Sequence, residues 1–119
     1  MEKTPKAVYY MATLGSKTAR GGEVVTASTG MVIQEHKVAQ VGDTVRYPGG
    51  SETAIVSGAG FAMVYAGVPV AIVGSELENG DHIIDSRQTS HCIAEYAGDP
   101  IPGLLDRNYT YPYPAAGTA

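Results

Sequence analysis

Three histidines and one cysteine are the side chains of this protein with the clearest chemical potential: His36, His82, His91 and Cys92. Three imidazoles and one thiolate are a sufficient ligand set for a tetrahedral zinc ion. Their spacing does not support such a site, because His91 and Cys92 are adjacent and neighbouring side chains of a strand point to opposite faces. We therefore expect exposed or half-buried histidines, with Cys92 as a small core residue.

No recognised catalytic motif accompanies these residues. The chain has 12 acidic residues, but no pair of them is framed by residues that would build a pocket, and Gly-x-Ser-x-Gly and His-Glu-x-x-His are both missing from the sequence. We predict no catalytic, cofactor-binding or metal-ligating residue, and hence no enzyme. The alternative is a small metal-dependent hydrolase that uses His82, His91 and Asp85, which would need a pocket lined by the two histidines.

The elements that must position these side chains are constrained by length and composition. A chain of 119 residues, 44% of them apolar, forms one domain with a modest core. Its 15 glycines and 7 prolines are spread along the sequence, which favours many short strands joined by tight turns. A formal net charge of -4 argues against nucleic-acid binding, since phosphate neutralisation requires basic residues.

The sequence also carries no targeting signal. Residues 1–6 are polar and no apolar run of signal-peptide length follows them. No stretch approaches the roughly 20 apolar residues that cross a bilayer, so stable membrane insertion is not expected. The single cysteine excludes an internal disulfide. We expect a protein made in the cytoplasm, without a signal peptide.

Three segments of the chain follow one pattern, at residues 14–25, 41–56 and 73–84. Each reads as glycine plus a small polar residue, a polar loop, a further glycine and a pair of β-branched residues. Short apolar runs follow each segment and are separated by Gly, Ser or Asn, which predicts antiparallel hairpins. No sustained helical period is present. The sequence therefore predicts an all-β domain of three hairpin-like repeats.

The domain is predicted to span residues 12–98, with an N-terminal arm at 1–11 and a tail at 99–119. Residues 8–11 could form an added strand or a docking arm. The tail carries Tyr109, Tyr111 and Tyr113 among prolines, and it is read equally well as an aromatic strap or as a poorly ordered end.

The ordered recurrence resembles the PAAR-repeat family. Residues 39–45 and 66–75 follow its x-Val-Gly-Asp and closing-strand patterns, although the tetrapeptide that gives the family its name is degenerate here, at 37–40 and 69–72. The resemblance covers about residues 12–96.

This resemblance implies a short cone or pyramid of three β-hairpin repeats with pseudo-threefold symmetry. It implies a structural tip that caps and sharpens a trimeric β-helical spike, called VgrG in type VI secretion systems, or the spike of a related contractile phage tail. One chain would bind each spike trimer, effector cargo is compatible with this role, and the protein would leave the cell with the spike. A free-standing β module that binds a ligand in a lateral groove is a further alternative.

The family commonly holds a structural zinc near its point, with His and Cys ligands from three glycine loops. Carried over to this sequence, those positions are Arg20, Tyr47 and Asn79, none of which is a usual zinc ligand. We therefore expect no zinc, although His82 lies close enough to a loop to be recruited. Packing or hydrogen bonds of Tyr47 and Arg20 are expected to fill the space near the point.

Overall fold

A computed structural model describes residues 4–110 and Pro112 of the chain. These residues form short antiparallel strands and a single 3-10 turn, Gly60–Ala62, without any α-helix. The strands are β1 Ala7–Tyr10, β2 Glu23–Val24, β3 Val32–Ile33, β4 His36–Lys37, β5 Thr44–Arg46, β6 Glu52–Ala54, β7 Val64–Tyr65, β8 Val68–Pro69 and β9 Cys92–Glu95. The predicted all-β class is confirmed.

A closed ring of backbone hydrogen bonds joins Ala12, Ala39 and Ala71. Ala12 N donates to Ala71 O over 2.9 Å, Ala71 N to Ala39 O over 2.9 Å, and Ala39 N to Ala12 O over 3.0 Å. All three alanines have no exposed surface. Three backbones can converge this closely because alanine adds only a methyl group to the crowded centre.

The three repeats contact one another in the same cyclic order on either side of this ring. One set of bridges joins Met11 to Ile72, Thr13 to Val38 and Gln40 to Val70. A second set joins Thr18 to Ile83, Ile55 to Leu77 and, through β2 and β5, Val24 to Val45. Each repeat therefore pairs with both of the others. As a result β2 pairs with β5 of the next repeat and not with β3 of its own.

The Gly-Ser and Gly-Asp pairs of the sequence form turns that come shortly after the ring alanines along the chain. Gly15, Gly42 and Gly74 have φ values of 88°, 97° and 100°, a region that favours glycine. The side chain of the next residue accepts a hydrogen bond from the backbone N three positions earlier. These bonds run from Thr13 N to Ser16 Oγ, from Gln40 N to Asp43 Oδ2 and from Ile72 N to Ser75 Oγ.

The core consists of apolar layers on both sides of the alanine ring. The layer toward the glycine-rich loops contains five buried side chains, Val24, Val45, Ile55, Leu77 and Ile83. The layer on the other side contains Met11, Val38 and Val70, with Met31, Ile33 and Met63 packed against it. The β-branched pairs of the repeats thus contribute one inward side chain each, as an alternating strand pattern requires.

Beyond the second layer lie three two-stranded antiparallel sheets, which we call the base hairpins: the true hairpins β3–β4 and β7–β8, and the pair β9–β1, whose strands are distant in sequence. The first turns at Gln34 and Glu35, and the second at Ala66 and Gly67, all with positive φ as in a type I′ turn. The third pairs the two ends of the domain, since β1 precedes the first repeat. Residues 7–10, assigned from the sequence to an arm, are therefore an added strand within the sheet structure, and Met11 is buried.

The beginning of the predicted tail also packs on the domain. Ile101, Leu104 and Leu105 lie against a cluster formed by Ala59, Ile72 and Ile93. The segment is fixed by two backbone hydrogen bonds, from Leu105 N to Gly58 O over 2.8 Å and from Phe61 N to Pro102 O over 2.9 Å. Tyr109 belongs to the described part of the chain, whereas Tyr111 and Tyr113 lie outside it.

Candidate functional site

Three loops of equal design lie at the end of the molecule opposite the base hairpins. We call them the glycine loops, at residues 18–22, 47–51 and 77–81. In each, the first residue donates its backbone N to the oxygen of the fifth, and the fourth residue, a glycine, donates back to the first. These glycines, Gly21, Gly50 and Gly80, have φ of 90°, 96° and 92°. The sequence repeats here because each loop needs a glycine in this left-handed conformation.

A buried carboxylate connects the three glycine loops. Asp81 in the third loop is 1% exposed. Its Oδ2 accepts hydrogen bonds from Thr18 Oγ1 of the first loop over 2.5 Å and from Tyr47 OH of the second loop over 2.7 Å. Thr18 Oγ1 in turn accepts from Gly22 N over 2.8 Å. One side chain therefore links all three repeats.

Backbone amides complete the shell around the same carboxylate. Asp81 Oδ1 accepts from His82 N over 2.8 Å and from Arg20 N over 3.1 Å. Asn79 and Arg20 add a second layer of bonds. Asn79 Nδ2 donates to Tyr47 OH over 3.0 Å, and the Arg20 guanidinium donates to Asn79 O over 3.1 Å. The loops are thus joined by a connected network of polar groups.

The network shifts the protonation of its two acidic members in opposite directions. Burial raises the pKa of Asp81, but hydrogen bonds from Thr18, Tyr47, His82 N and Arg20 N outweigh burial, and the pKa lies below its ordinary value. Burial, followed by donation of the hydroxyl proton to Asp81, raises the pKa of Tyr47. The network therefore favours a charged carboxylate beside a neutral phenol.

The positions that would hold zinc by family resemblance meet in this network, but their chemistry does not fit a zinc ion. Arg20 is a cation with donors only, Tyr47 keeps its proton, and Asn79 offers a neutral amide. Residues 4–110 and 112 contain no group of three His, Cys, Asp or Glu side chains that could hold a metal. The arrangement is suited to hydrogen bonding and not to metal coordination.

The histidines and the cysteine are not brought together. His36 is the first residue of β4, and His82 and His91 are exposed. His91 Nδ1 lies 2.8 Å from Ser90 Oγ. Cys92, expected in the core, is instead exposed at the start of β9. That expectation was wrong because Ile93 takes the buried position of the strand, and alternation turns Cys92 outward.

A groove of about 370 Å³ lies beside the first two glycine loops. Its walls include the ion pair between Lys17 and Glu23, together with Arg46, Tyr47 and Pro48. His82, His91 and Asp85, the residues of the hydrolase alternative, do not line it.

The base hairpins carry exposed apolar side chains. Val32 on β3 is 59% exposed, Tyr65 on β7 is 37% exposed and Val8 on β1 is 45% exposed. Each hairpin therefore presents at least one apolar group to solvent. Within the described residues, each of these hairpins is a separate two-stranded sheet, and the edges of such sheets are potential sites of further strand pairing.

Within the described part of the chain no helix is long and apolar enough to cross a membrane. No curated protein matched the sequence. The family model for the PAAR motif matches residues 14–85, a range that contains all three glycine loops and two of the base hairpins. Because the match covers more than half of the 119 residues, the chain belongs to the PAAR motif family.

Proposed function

We propose that this protein is the tip that caps a trimeric β-helical spike of the VgrG type in a contractile injection apparatus. The PAAR motif family is a structural spike-tip family and not an enzyme family, which supports a structural role and a spike partner. The observation that carries the proposal is the hydrogen-bonded ring of Ala12, Ala39 and Ala71. Through it, one chain supplies three neighbouring β units.

Approximate threefold symmetry of the three units is part of the proposal. It is supported by the cyclic order of the bridges and by the matching design of the glycine loops. A partner with three identical chains would meet three comparable surfaces on a single tip protein. We therefore propose one tip chain for each spike trimer, made in the cytoplasm and carried out of the cell with the spike.

The base hairpins are the proposed docking surface. Val8, Val32 and Tyr65 supply exposed apolar area, one on each hairpin. Each hairpin is a two-stranded sheet, and its edges are the proposed sites at which strand ends of the spike add. Apolar contact combined with strand addition is a common way for β proteins to bind one another.

The proposal is tested by titrating the protein onto a cognate trimeric spike fragment and measuring the mass of the complex by light scattering. We expect one chain per spike trimer. Val32→Asp should weaken binding roughly tenfold or more, because it places a charge in an apolar contact. Ile84→Asp is the matched control, since Ile84 is also an exposed apolar residue, at 50%, and lies outside the base hairpins.

Three chains per trimer would contradict the proposed geometry. Absence of a complex with every cognate spike would contradict the function. Equal weakening by Val32→Asp and Ile84→Asp would leave the function standing and place the docking surface elsewhere.

A further inference from the structure

We infer that hydrogen bonds to the Asp81 carboxylate hold the three glycine loops together, and that they take the place of a metal ion. The point of the molecule then forms without zinc. The inference goes beyond the proposed function and does not depend on spike binding.

The Asp81 carboxylate connects all three glycine loops. The three loops are distant in sequence, and Asp81 lies 63 residues from Thr18 and 34 residues from Tyr47. Both hydroxyls donate to the same oxygen atom, and Arg20 N reaches both oxygens, at 3.1 and 3.3 Å. In this way a side chain does what a metal ion does in a small domain, which is to hold separate loops at one point.

Protein donors occupy the acceptor sites of the Asp81 carboxylate. An ionised carboxylate has about four acceptor sites. Asp81 receives bonds from Thr18 Oγ1, Tyr47 OH, His82 N and Arg20 N, which together occupy them. A cation could bind only if several of these donors were displaced.

A positive charge already lies beside the Asp81 network. The Arg20 side chain is tied to Asn79 O in the adjoining loop, so a permanent positive charge already stands beside the carboxylate network. This charge offsets that of the Asp81 carboxylate, so the network presents little net negative charge to a second cation.

Because Asp81 is buried, its carboxylate is essential to the fold of the loops. At 1% exposure Asp81 is buried, and its charge is tolerated because protein donors surround it. Removal of the carboxylate would in turn leave Thr18 Oγ1, Tyr47 OH and two backbone amides without their acceptor.

The test combines metal analysis with thermal unfolding of the full chain. Purified protein should contain no stoichiometric zinc, and treatment with a strong chelator should leave Tm unchanged to within about 1 °C, because no bound ion contributes to stability. Asp81→Ala should lower Tm by roughly 8 °C or more, because it leaves the buried Thr18 hydroxyl and three partly buried donors without their acceptor. Asp99→Ala is the control, since Asp99 is an exposed acid in the turn after β9.

A milder variant keeps the inference testable if Asp81→Ala does not fold. Tyr47→Phe removes one donor to Asp81 and should lower Tm by roughly 3–6 °C. Tyr96→Phe, at a half-buried tyrosine outside the glycine loops, should leave Tm nearly unchanged. About one zinc per chain, a fall in Tm on chelation, or equal effects of Tyr47→Phe and Tyr96→Phe would overturn the inference.

Discussion

Asp43 and Asp81 are both buried carboxylates that join distant parts of the chain, at 2% and 1% exposure. Asp81 connects the glycine loops, whereas Asp43 lies at the Gly-Asp turn of the second repeat. Asp43 accepts from Thr26 Oγ1 over 2.8 Å and, with its two oxygens, from Ser28 Oγ over 2.5 Å and Ser28 N over 2.9 Å. The first and third repeats have serine at the position of Asp43, so this charge is particular to the second repeat.

We predict that Asp43 makes the protein sensitive to acid. Burial raises the pKa of Asp43, but hydrogen bonds from Ser28, Gln40 N and Thr26 outweigh burial and keep the pKa below its ordinary value. A carboxyl with a lowered folded-state pKa stabilises the fold above the unfolded-state pKa. Its contribution is lost as the pH falls from about 5 through the lowered value.

Urea unfolding at a series of pH values between neutral and strongly acidic measures this contribution. Asp43→Asn should flatten the loss of unfolding free energy in acid, because the isosteric amide no longer titrates. Asp99→Asn, at an exposed acid, should follow the parent protein. An acid profile unchanged by Asp43→Asn would show that Asp43 is not a source of the pH dependence.

At this scale the sequence predicted part of the network around Asp81. Resemblance to the PAAR-repeat family placed Arg20, Tyr47 and Asn79 near one another at the positions of its zinc ligands, and the structure brings them together. Asp81 itself was missed. An acid after Asn-Gly is typical of an exposed turn, and its burial depends on Thr18 and Tyr47, which are far away in sequence.

At the scale of elements, equivalent backbone groups of the repeats obtain their hydrogen bonds from different donors. Val38 O accepts from the side chain of Thr29 over 2.6 Å, whereas Val70 O accepts from the backbone N of Ala59 over 2.9 Å. Met11 O accepts from Gln88 Nε2 over 3.0 Å. A buried carbonyl needs a donor but not a particular residue, so the repeats diverge in sequence while they keep one architecture.

The C-terminal segment offers a prediction at this scale. Gly60 has φ of 59°, and a Cβ added there would lie 2.3 Å from Pro102 O and 2.5 Å from Gly103 C. Because these are backbone atoms, Gly60→Ala should displace the segment at residues 101–105 and destabilise the protein by about 2 kcal/mol or more. Denaturant unfolding measures the loss, and limited proteolysis should show new cleavage within the segment.

Gly49→Ala is the matched control, since a Cβ at Gly49 meets no atom within 4 Å and its φ is not in the left-handed region. If both variants resisted proteolysis equally, the docked position of the segment would be wrong.

The existence of the hairpins could be predicted from local patterns, but some strand partners could not. Short apolar runs around Gly- and Ser-rich segments predicted hairpins with turns near residues 28–30 and 57–60. The hairpins that the structure contains there are β3–β4 and β7–β8, and they turn at residues 34–35 and 66–67 instead. The partner of β9 is β1, at the other end of the domain, and β2 pairs with β5 of the next repeat. Local periodicity reports which residues extend and not which distant strand completes the ladder.

At the scale of the whole molecule, the ring of Ala12, Ala39 and Ala71 explains how one chain provides three neighbouring units. Each unit pairs with both others, so the centre has no free strand edge. The repeated segments of the sequence predicted the number of units. The pairing of β1 with β9, which joins the two ends of the domain, is visible only in the structure.

The most direct test of this account is the structure of the chain bound to its spike trimer, determined by electron cryo-microscopy without imposed symmetry. The account predicts one chain on the spike axis, with base hairpins β3–β4, β7–β8 and β9–β1 each facing one spike chain and the glycine loops pointing away. A complex with three copies around the axis, or with the glycine loops against the spike, would contradict it.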